Sequence, residues 1–168
     1  MSDMMNITLA VPMPDLAPGA SPLVPQDASA AIITVDGKYL MQHRDNKPWI
    51  FCPDHWGLFG GAFEADEDAG EALRRELHEE LGLTITLDRV TAFCTHNNSL
   101  GEYQNKKRVF FEMSLQPDDM PALTLGEGQA MGLLTAEDIF HPERKVCPYD
   151  AFALWMHIQR RRNDAVVV

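Results

Sequence analysis

Apolar and polar positions along the chain change rhythm several times, and each change marks an element. Ala30-Ala31-Ile32-Ile33-Thr34-Val35 and Lys38-Tyr39-Leu40-Met41-Gln42-His43-Arg44 are two β-rich runs on either side of Asp36-Gly37. That dipeptide tolerates the positive φ angles of a type I′ turn, so the pattern predicts a hairpin beginning near Ala28. A short strand is expected at Trp56-Gly57-Leu58-Phe59, and further strands over Ile85–Cys94 and Arg108–Leu115, which are rich in Val, Phe and Thr. Asn97-Asn98-Ser99-Leu100-Gly101 reads as the loop between those two, and Pro117-Asp118-Asp119-Met120-Pro121 as another. Ala130–Leu134 suits a final short strand, and Tyr149–Arg162 has the length and spacing of a helix. With no internal repeat, this irregular alternation predicts a mixed α/β architecture in which helices pack on a sheet.

The stretch Gly61–Leu83, GAFEADEDAGEALRRELHEELGL, carries the densest information. Asp68 is a good N-cap and Glu71 follows three residues later, as in a capping box, so a helix should start near Ala69. Gly82 supplies the left-handed residue that stops it. At about 100° per residue, Ala69, Leu73, Leu77 and Leu81 form the stripe that faces the core, and Glu80 projects to nearly the azimuth of Leu73. Glu76 borders the same stripe and Glu79 lies about 60° beyond it, so three carboxylates share an arc of roughly 100°.

Carboxylates taken out of water without partners cost several kcal/mol, and neighbouring like charges add to that cost. A positive charge is therefore expected beside them. A hard divalent cation suits oxygen ligands that must also reach phosphate. Arg75 is a partial alternative, although it lies round the helix from Glu80. A solvated acidic face is the simpler reading of many Glu-rich helices, but Glu80 inside a leucine stripe argues against it.

This segment resembles the Nudix box: Gly, five residues, Glu, seven residues, Arg-Glu, an aliphatic, any residue, Glu-Glu, any residue, Gly and an aliphatic. Gly61, Glu67, Arg75, Glu76, Leu77, Glu79, Glu80, Gly82 and Leu83 meet every fixed position. Chance agreement at a given start is on the order of 10⁻⁹ to 10⁻¹⁰ at average residue frequencies. The surrounding order of hairpin, strand, Gly60-Gly61, helix, strands and terminal helix resembles the same family.

The resemblance implies a Nudix-like α/β/α sandwich with a mixed sheet, and a magnesium-dependent hydrolase that cuts a diphosphate linkage in a small nucleotide-like molecule, with manganese as a substitute metal. It implies Glu76, Glu79 and Glu80 as metal ligands, with the carbonyl of Gly60 as a further one, and Glu67 with Arg75 as a brace between loop and helix. Diphosphate hydrolysis needs charge neutralisation, an activated water and in-line positioning. For the group that takes the water's proton, Glu76 and Glu80 are favoured, with Glu127 as a loop candidate.

Outside the box, Arg44 ends the second hairpin strand, where its planar fork could meet a phosphate or simply face solvent. Trp49, Phe51 and Trp56 could stack on a base, though aromatics just before a strand more often serve the core. Lys106-Lys107-Arg108 could guide an anion, with solvated turn residues as the plainer reading. The six histidines show no metal-ligand spacing. Arg160-Arg161-Arg162 are read as ending the last helix, where cations complement its dipole.

A formal net charge of −11 opposes binding to nucleic-acid polymers or anionic membranes, so a phosphate ligand would need a cation. No apolar run approaches the roughly 20 residues that would span a bilayer. The first residues lack a secretory pattern, so a cytoplasmic protein is expected. Cys52, Cys94 and Cys147 are odd in number and outside any CxxC pair, which suggests ordinary free thiols. Pro12, Pro14, Pro18, Pro22 and Pro25 mark residues 1–27 as an irregular arm, with Met5–Val11 as a candidate strand, ahead of a Nudix hydrolase domain at 28–168. The arm could cross to a second copy, which keeps a homodimer open.

Two other functions use the same fold: a nucleotide-sensing module without catalysis, and a prenyl-diphosphate isomerase with an added cysteine. The first usually lacks box carboxylates, and neither Cys52 nor Cys94 sits in the second family's local motif. Fifteen residues past the box stands Asn98, where ADP-ribose enzymes resemble one another in having proline. Tyr103 lies only near the tyrosine of diadenosine polyphosphate hydrolases. The sequence therefore reaches a nucleoside diphosphate derivative or a nucleoside triphosphate and no further.

Overall fold

The computed structural model of the chain describes residues 24–100 and 103–166. The expected arm therefore lies, apart from residues 24–27, outside the described residues, as does the candidate strand Met5–Val11. Among the described residues, strands β1 (Ala28–Val35), β2 (Lys38–His43), β3 (Trp56–Gly57), β4 (Thr91–Leu100), β5 (Tyr103–Leu115) and β6 (Ala130–Leu134) form one sheet. Helices α1 (Ala69–Leu81), α2 (Ala136–Ile139) and α3 (Pro148–Val166) complete the domain. None of these helices is long and apolar enough to cross a membrane.

The sheet is mixed. β1 is antiparallel to β2 and parallel to β5, with Ala28 opposite Arg108 and Val35 opposite Leu115. β4 is antiparallel to β5, while β6 and β3 are both antiparallel to β2. Asp36 and Gly37 take φ values of 47° and 79°, the pair of positive angles that the tight β1–β2 turn requires.

All eight residues of β1 are buried, because both faces of this strand are covered. Ala31, Ile33 and Val35 meet Leu73, Leu77 and Leu81 of α1 on one side. Ala30 and Ile32 meet Ala153, Leu154 and Ile158 of α3 on the other. Each fully buried leucine contributes roughly 1.5–3 kcal/mol. The result is an α/β/α sandwich whose two cores share one strand.

Helix α1 begins and ends as its sequence predicts. The Asp68 carboxylate accepts from the N–H groups of Gly70 and Glu71 at 2.8 and 2.9 Å, and Glu71 accepts from the N–H of Asp68 at 3.2 Å. Gly82 closes the helix with φ 64°, its N–H donating to the carbonyl of His78 at 2.9 Å. The buried set is Ala72, Leu73, Leu77, Glu80 and Leu81, so Ala72 takes the core place expected of Ala69.

Elsewhere tertiary pairing overrides local preference. Ile85 is buried against the α1 core but precedes a 3₁₀ turn at Leu87–Arg89, and strand β4 starts only at Thr91. At its other end β4 runs through Asn97 and Asn98 to Leu100, where a loop is expected, because Asn97 pairs with Lys107 and Asn98 with Lys106. A partner strand outweighs the low strand propensity of Asn and Ser. Pro117–Ala122 forms a 3₁₀ helix instead of an open loop. Helix α3 continues to Val166, so Arg160, Arg161 and Arg162 precede its last turn and the dipole does not account for them.

Two charged clamps hold the site in place. Arg75 of α1 grips Glu67 with Nε and Nη2 at 2.8 and 2.9 Å and also donates to the Ala62 carbonyl at 2.9 Å, fastening the loop before the helix to its side. Asp150 at the start of α3 is 1% exposed; it accepts from the Leu58 N–H at 3.0 Å and from Arg108 at 3.1 Å. That clamp joins α3, the segment after β3, and β5.

The Glu67 carboxyl is held down to about 2, chiefly by hydrogen bonds from Arg75. A folded value below the ordinary 4.5 means that the pair stabilises the fold fully above pH 4.5 and loses its effect as pH falls toward 2. Urea midpoints of the wild type and Glu67→Gln should therefore differ most near about pH 6 and converge below pH 4.5; a constant gap would refute the linkage. Asp150→Asn should cost about 3 kcal/mol or more in urea unfolding, since it leaves the guanidinium of Arg108 enclosed without its counter-charge. A loss under about 1 kcal/mol would show that Arg108 is solvated in that variant.

Candidate active site

The acidic face of α1 meets a strip of backbone that β1 holds in position. The Ser29 and Ala31 N–H groups donate to the carbonyls of Gly61 and Phe59 at 3.0 and 2.9 Å, so Phe59 to Gly61 lies along the first half of β1. Gly60 has φ 132°, and a Cβ there would stand 2.3 Å from the Ser29 carbonyl oxygen. Only glycine lets the chain pass so close.

The Gly60 N–H donates to Glu80 Oε2 at 2.7 Å, and Gln42 of β2 donates to Glu80 Oε1 at 3.3 Å. Glu80 is 4% exposed. Burial pushes its carboxyl up to about 8, and the charges of Glu76 and Glu127 push the same way, against the Gly60 and Gln42 bonds. Glu76 is also raised, first by burial, with Arg75 opposing. Its Oε1 accepts from Arg75 Nη1 at 2.8 Å, and it lies so near Gly61 that a Cβ on that residue would be 2.3 Å away. Glu79 is more exposed and accepts from the same Arg75 nitrogen at 3.3 Å.

The three box glutamates therefore share one helix face but do not point at one spot: Arg75 draws Glu76 and Glu79 aside, while Gly60 and Gln42 hold Glu80. Among the described residues, no three acidic, histidine or cysteine side chains are gathered closely enough to enclose a metal ion. Arg75 supplies the positive charge expected beside Glu76 and Glu79 and makes no ion pair with Glu80 among the described residues.

Glu127 reaches the site from the loop before β6. The N–H groups of Thr124 and Gly126 donate to the Leu81 and Glu80 carbonyls at 2.9 and 2.8 Å, so this loop lies on the C-terminal end of α1. Gln42 also donates to the Glu127 carbonyl at 3.1 Å and so ties the loop to Glu80. The Glu127 carboxylate is exposed, and its charge acts on both Glu76 and Glu80.

Beside Gly60 and Gly61 opens a cleft of about 300 Å³. Arg44, Lys106, Lys107 and Arg108 line it together with Phe51 and Tyr149. Arg44 stands just beyond β2, with its N–H on the His55 carbonyl at 2.9 Å and Nε on the Phe51 carbonyl at 3.1 Å. The three basic residues near position 107 belong to β5 and face the cleft, which corrects their reading as solvated turn residues. Arg108 stacks over Tyr149 at 4.5 Å from the ring centre. Of the candidate stacking aromatics, Phe51 lines this cleft, Trp49 is exposed beside Glu127 in a neighbouring groove, and Trp56 packs against the α3 core.

Sequence reasoning missed Gln42, Asp150 and Tyr149. Gln42 had a detectable signal: it is the polar member of a buried strand face shared with Leu40. Asp150 and Tyr149 carried none, since their partners come from distant segments. Cys52 and Cys147, widely separated in sequence, come close enough near the cleft for each thiol to perturb the other.

Comparison with known proteins bears on this arrangement. A family model described as NUDIX domain matches residues 24–156. Nucleoside triphosphatase NudI of Escherichia coli is 42% identical over 60 residues, which are 36% of this chain and 42% of that protein. The matched stretch thus spans less than half the length of that relative. The E. coli ORF135 protein superposes with a TM-score of 0.59 at 28% identity, over 80% of this chain and 89% of its own. The NUDIX domain of Shewanella oneidensis NrtR, solved in complex with ADP ribose, shares the fold with a TM-score of 0.61 at 18% identity, over 88% of this chain and 94% of its own. With the family model spanning most of the sequence and the box helix, its capping and its glycine strip all present, this chain belongs to the NUDIX domain family.

Proposed function

We propose that this protein hydrolyses a diphosphate linkage in a small nucleotide, a nucleoside triphosphate or a nucleoside diphosphate derivative, with magnesium as its metal and manganese as a substitute. The observation that carries this reading is the buried Glu80 carboxylate, held between the Gly60 N–H and Gln42 beside Glu76, at the edge of a cleft lined by Arg44, Lys106 and Lys107. The resemblance to a nucleoside triphosphatase favours the triphosphate branch. We take residues 28–168 as the catalytic domain and 1–27 as its arm.

The donor chemistry suits a hard divalent cation. Glu76, Glu79, Glu80 and the Gly60 carbonyl offer oxygen alone, and Arg75 pairs with Glu76 and Glu79 but not with Glu80. A magnesium ion held there supplies neutralisation of the diphosphate and acidification of water. The chain's own groups do the rest. Arg44 and the β5 lysines bind and orient phosphate oxygens. Phe51 and Tyr149 offer flat apolar surface to a base. The proton of the attacking water passes to Glu76 or Glu80, with Glu127 as the loop alternative.

A phosphate-release screen over nucleoside triphosphates, nucleotide sugars, dinucleotides and diadenosine polyphosphates tests the reading. Turnover is expected with magnesium and should stop when a chelator removes it. Glu80→Gln, which matches the shape of the side chain and keeps an oxygen to accept from the Gly60 N–H, should stay folded while kcat falls by about 10²-fold or more. Wild-type turnover in that variant would remove Glu80 from the chemistry, and a nucleotide bound tightly with magnesium but recovered intact would make the protein a binding module.

A further inference from the structure

On the α3 side of the sheet, away from the acidic face of α1, a cavity of about 400 Å³ brings Arg89, Arg160 and Arg161 together with the hydroxyl groups of Thr34, Thr91 and Ser114. Four regions supply these residues: the 3₁₀ turn before β4, the first residue of β4, the latter part of α3, and the paired ends of β1 and β5. No helix end explains the arginines, and in a chain of net charge −11 such a concentration of guanidinium groups runs against the background.

Glu112 is the acidic residue lining the cavity. It pairs with Arg160 and accepts from His157 Nε2 at 3.1 Å. Among the described residues, Arg89 and Arg161 form no ion pair within 4.0 Å. Burial holds His157 below its ordinary value, with Glu112 opposing and Arg160 and Arg161 adding to the effect. Three guanidinium groups against one carboxylate leave the lining of the cavity with an excess of positive charge.

The groups are also held in position. The Arg160 guanidinium lies over Phe93 at 4.8 Å, and the charges of Arg160 and Arg161 act on Tyr39, whose hydroxyl meets His157 Nδ1 at 3.0 Å. Thr34 Oγ1 and Ser114 Oγ stand 2.9 Å apart at the strand ends. Planar cationic forks beside small hydroxyl donors match a phosphate group, which accepts several hydrogen bonds at once.

We propose that this cavity is a second anion site, which binds the phosphate group of a small molecule, either inorganic pyrophosphate or a nucleotide phosphate. It is independent of the hydrolase reading. Thr34 is five residues along β1 from Ser29, the partner of Gly61, which is roughly 16 Å at ~3.3 Å per residue, and it faces α3 instead of α1. One bound diphosphate cannot occupy both places.

Backbone amide NMR of the full chain in the presence of a chelator tests this, with inorganic pyrophosphate and AMP as separate probes. At least one probe should shift the Thr34, Thr91 and Ser114 amides saturably. In Arg89→Gln/Arg161→Gln, whose altered side chains are both exposed, the affinity read at those amides should fall at least tenfold while shifts at Gly60 and Gly61 persist. The single variant Arg89→Glu, at an exposed turn, should weaken the same amides' response by a similar factor and serves if the double variant fails to fold. Tighter binding of AMP assigns the site to a nucleotide, and tighter binding of pyrophosphate assigns it to the inorganic anion. Absence of saturable shifts with either probe up to about 10 mM, or unchanged affinity in both variants, overturns the proposal.

Discussion

A carboxylate set among leucines must be given partners or it unfolds what surrounds it, and much of this site is organised around that demand at Glu80. Its two oxygens take one N–H from the Gly60 backbone and one from Gln42. Meeting the first requires the glycine strip to lie flat on β1, and meeting the second requires β2 to carry an amide on its α1 face. Gln42 then holds the Glu127 loop as well, so one buried acid brings helix, hairpin, strip and loop to a common point. Even so, burial and the neighbouring charges push the carboxyl up to about 8 against the bonds from Gly60 and Gln42.

Charge on the rest of the molecule is sorted rather than balanced. Acids dominate overall, yet the cleft beside Gly60 is lined by arginine and lysine, and a second cationic cavity opens on the other side of the sheet. Local cations are thus confined to recesses of a chain whose net charge is −11. Arg75 plays a different part. Its bidentate hold on Glu67 fixes loop to helix, and its remaining nitrogen occupies Glu76 and Glu79. The same guanidinium thus serves as a brace and as a competitor for carboxylates that a cation would need.

Legibility in the sequence tracked the range of the interactions involved. Helix α1 could be read residue by residue, because Asp68, Glu71 and Gly82 set its limits through contacts a few positions away. The β1–β2 hairpin was equally local, and β6 emerged with the expected bounds. Strands β4 and β5 were misjudged at the hairpin they form, since Asn97 and Asn98 become strand only when Lys107 and Lys106 lie opposite. Glu80 could be recognised as a misfit in an apolar stripe. Its partner Gln42 left a trace as a polar residue on a buried strand face, whereas the Asp150 clamp on Arg108 was hidden because its meaning comes from a residue 42 positions away. The cysteine pair was hidden for the same reason.

The two adjacent glycines at the heart of the site are needed on different grounds. At position 60 the obstacle to any side chain is main-chain atoms of β1, which cannot yield, together with a backbone angle that L-residues avoid. At position 61 the obstacle is the tip of Glu76, which can swing away. Enlarging the first therefore injures the architecture itself, whereas enlarging the second presses only on the end of a side chain. The absence of a side chain at position 61 is thus what leaves room for the Glu76 carboxylate beside the strip.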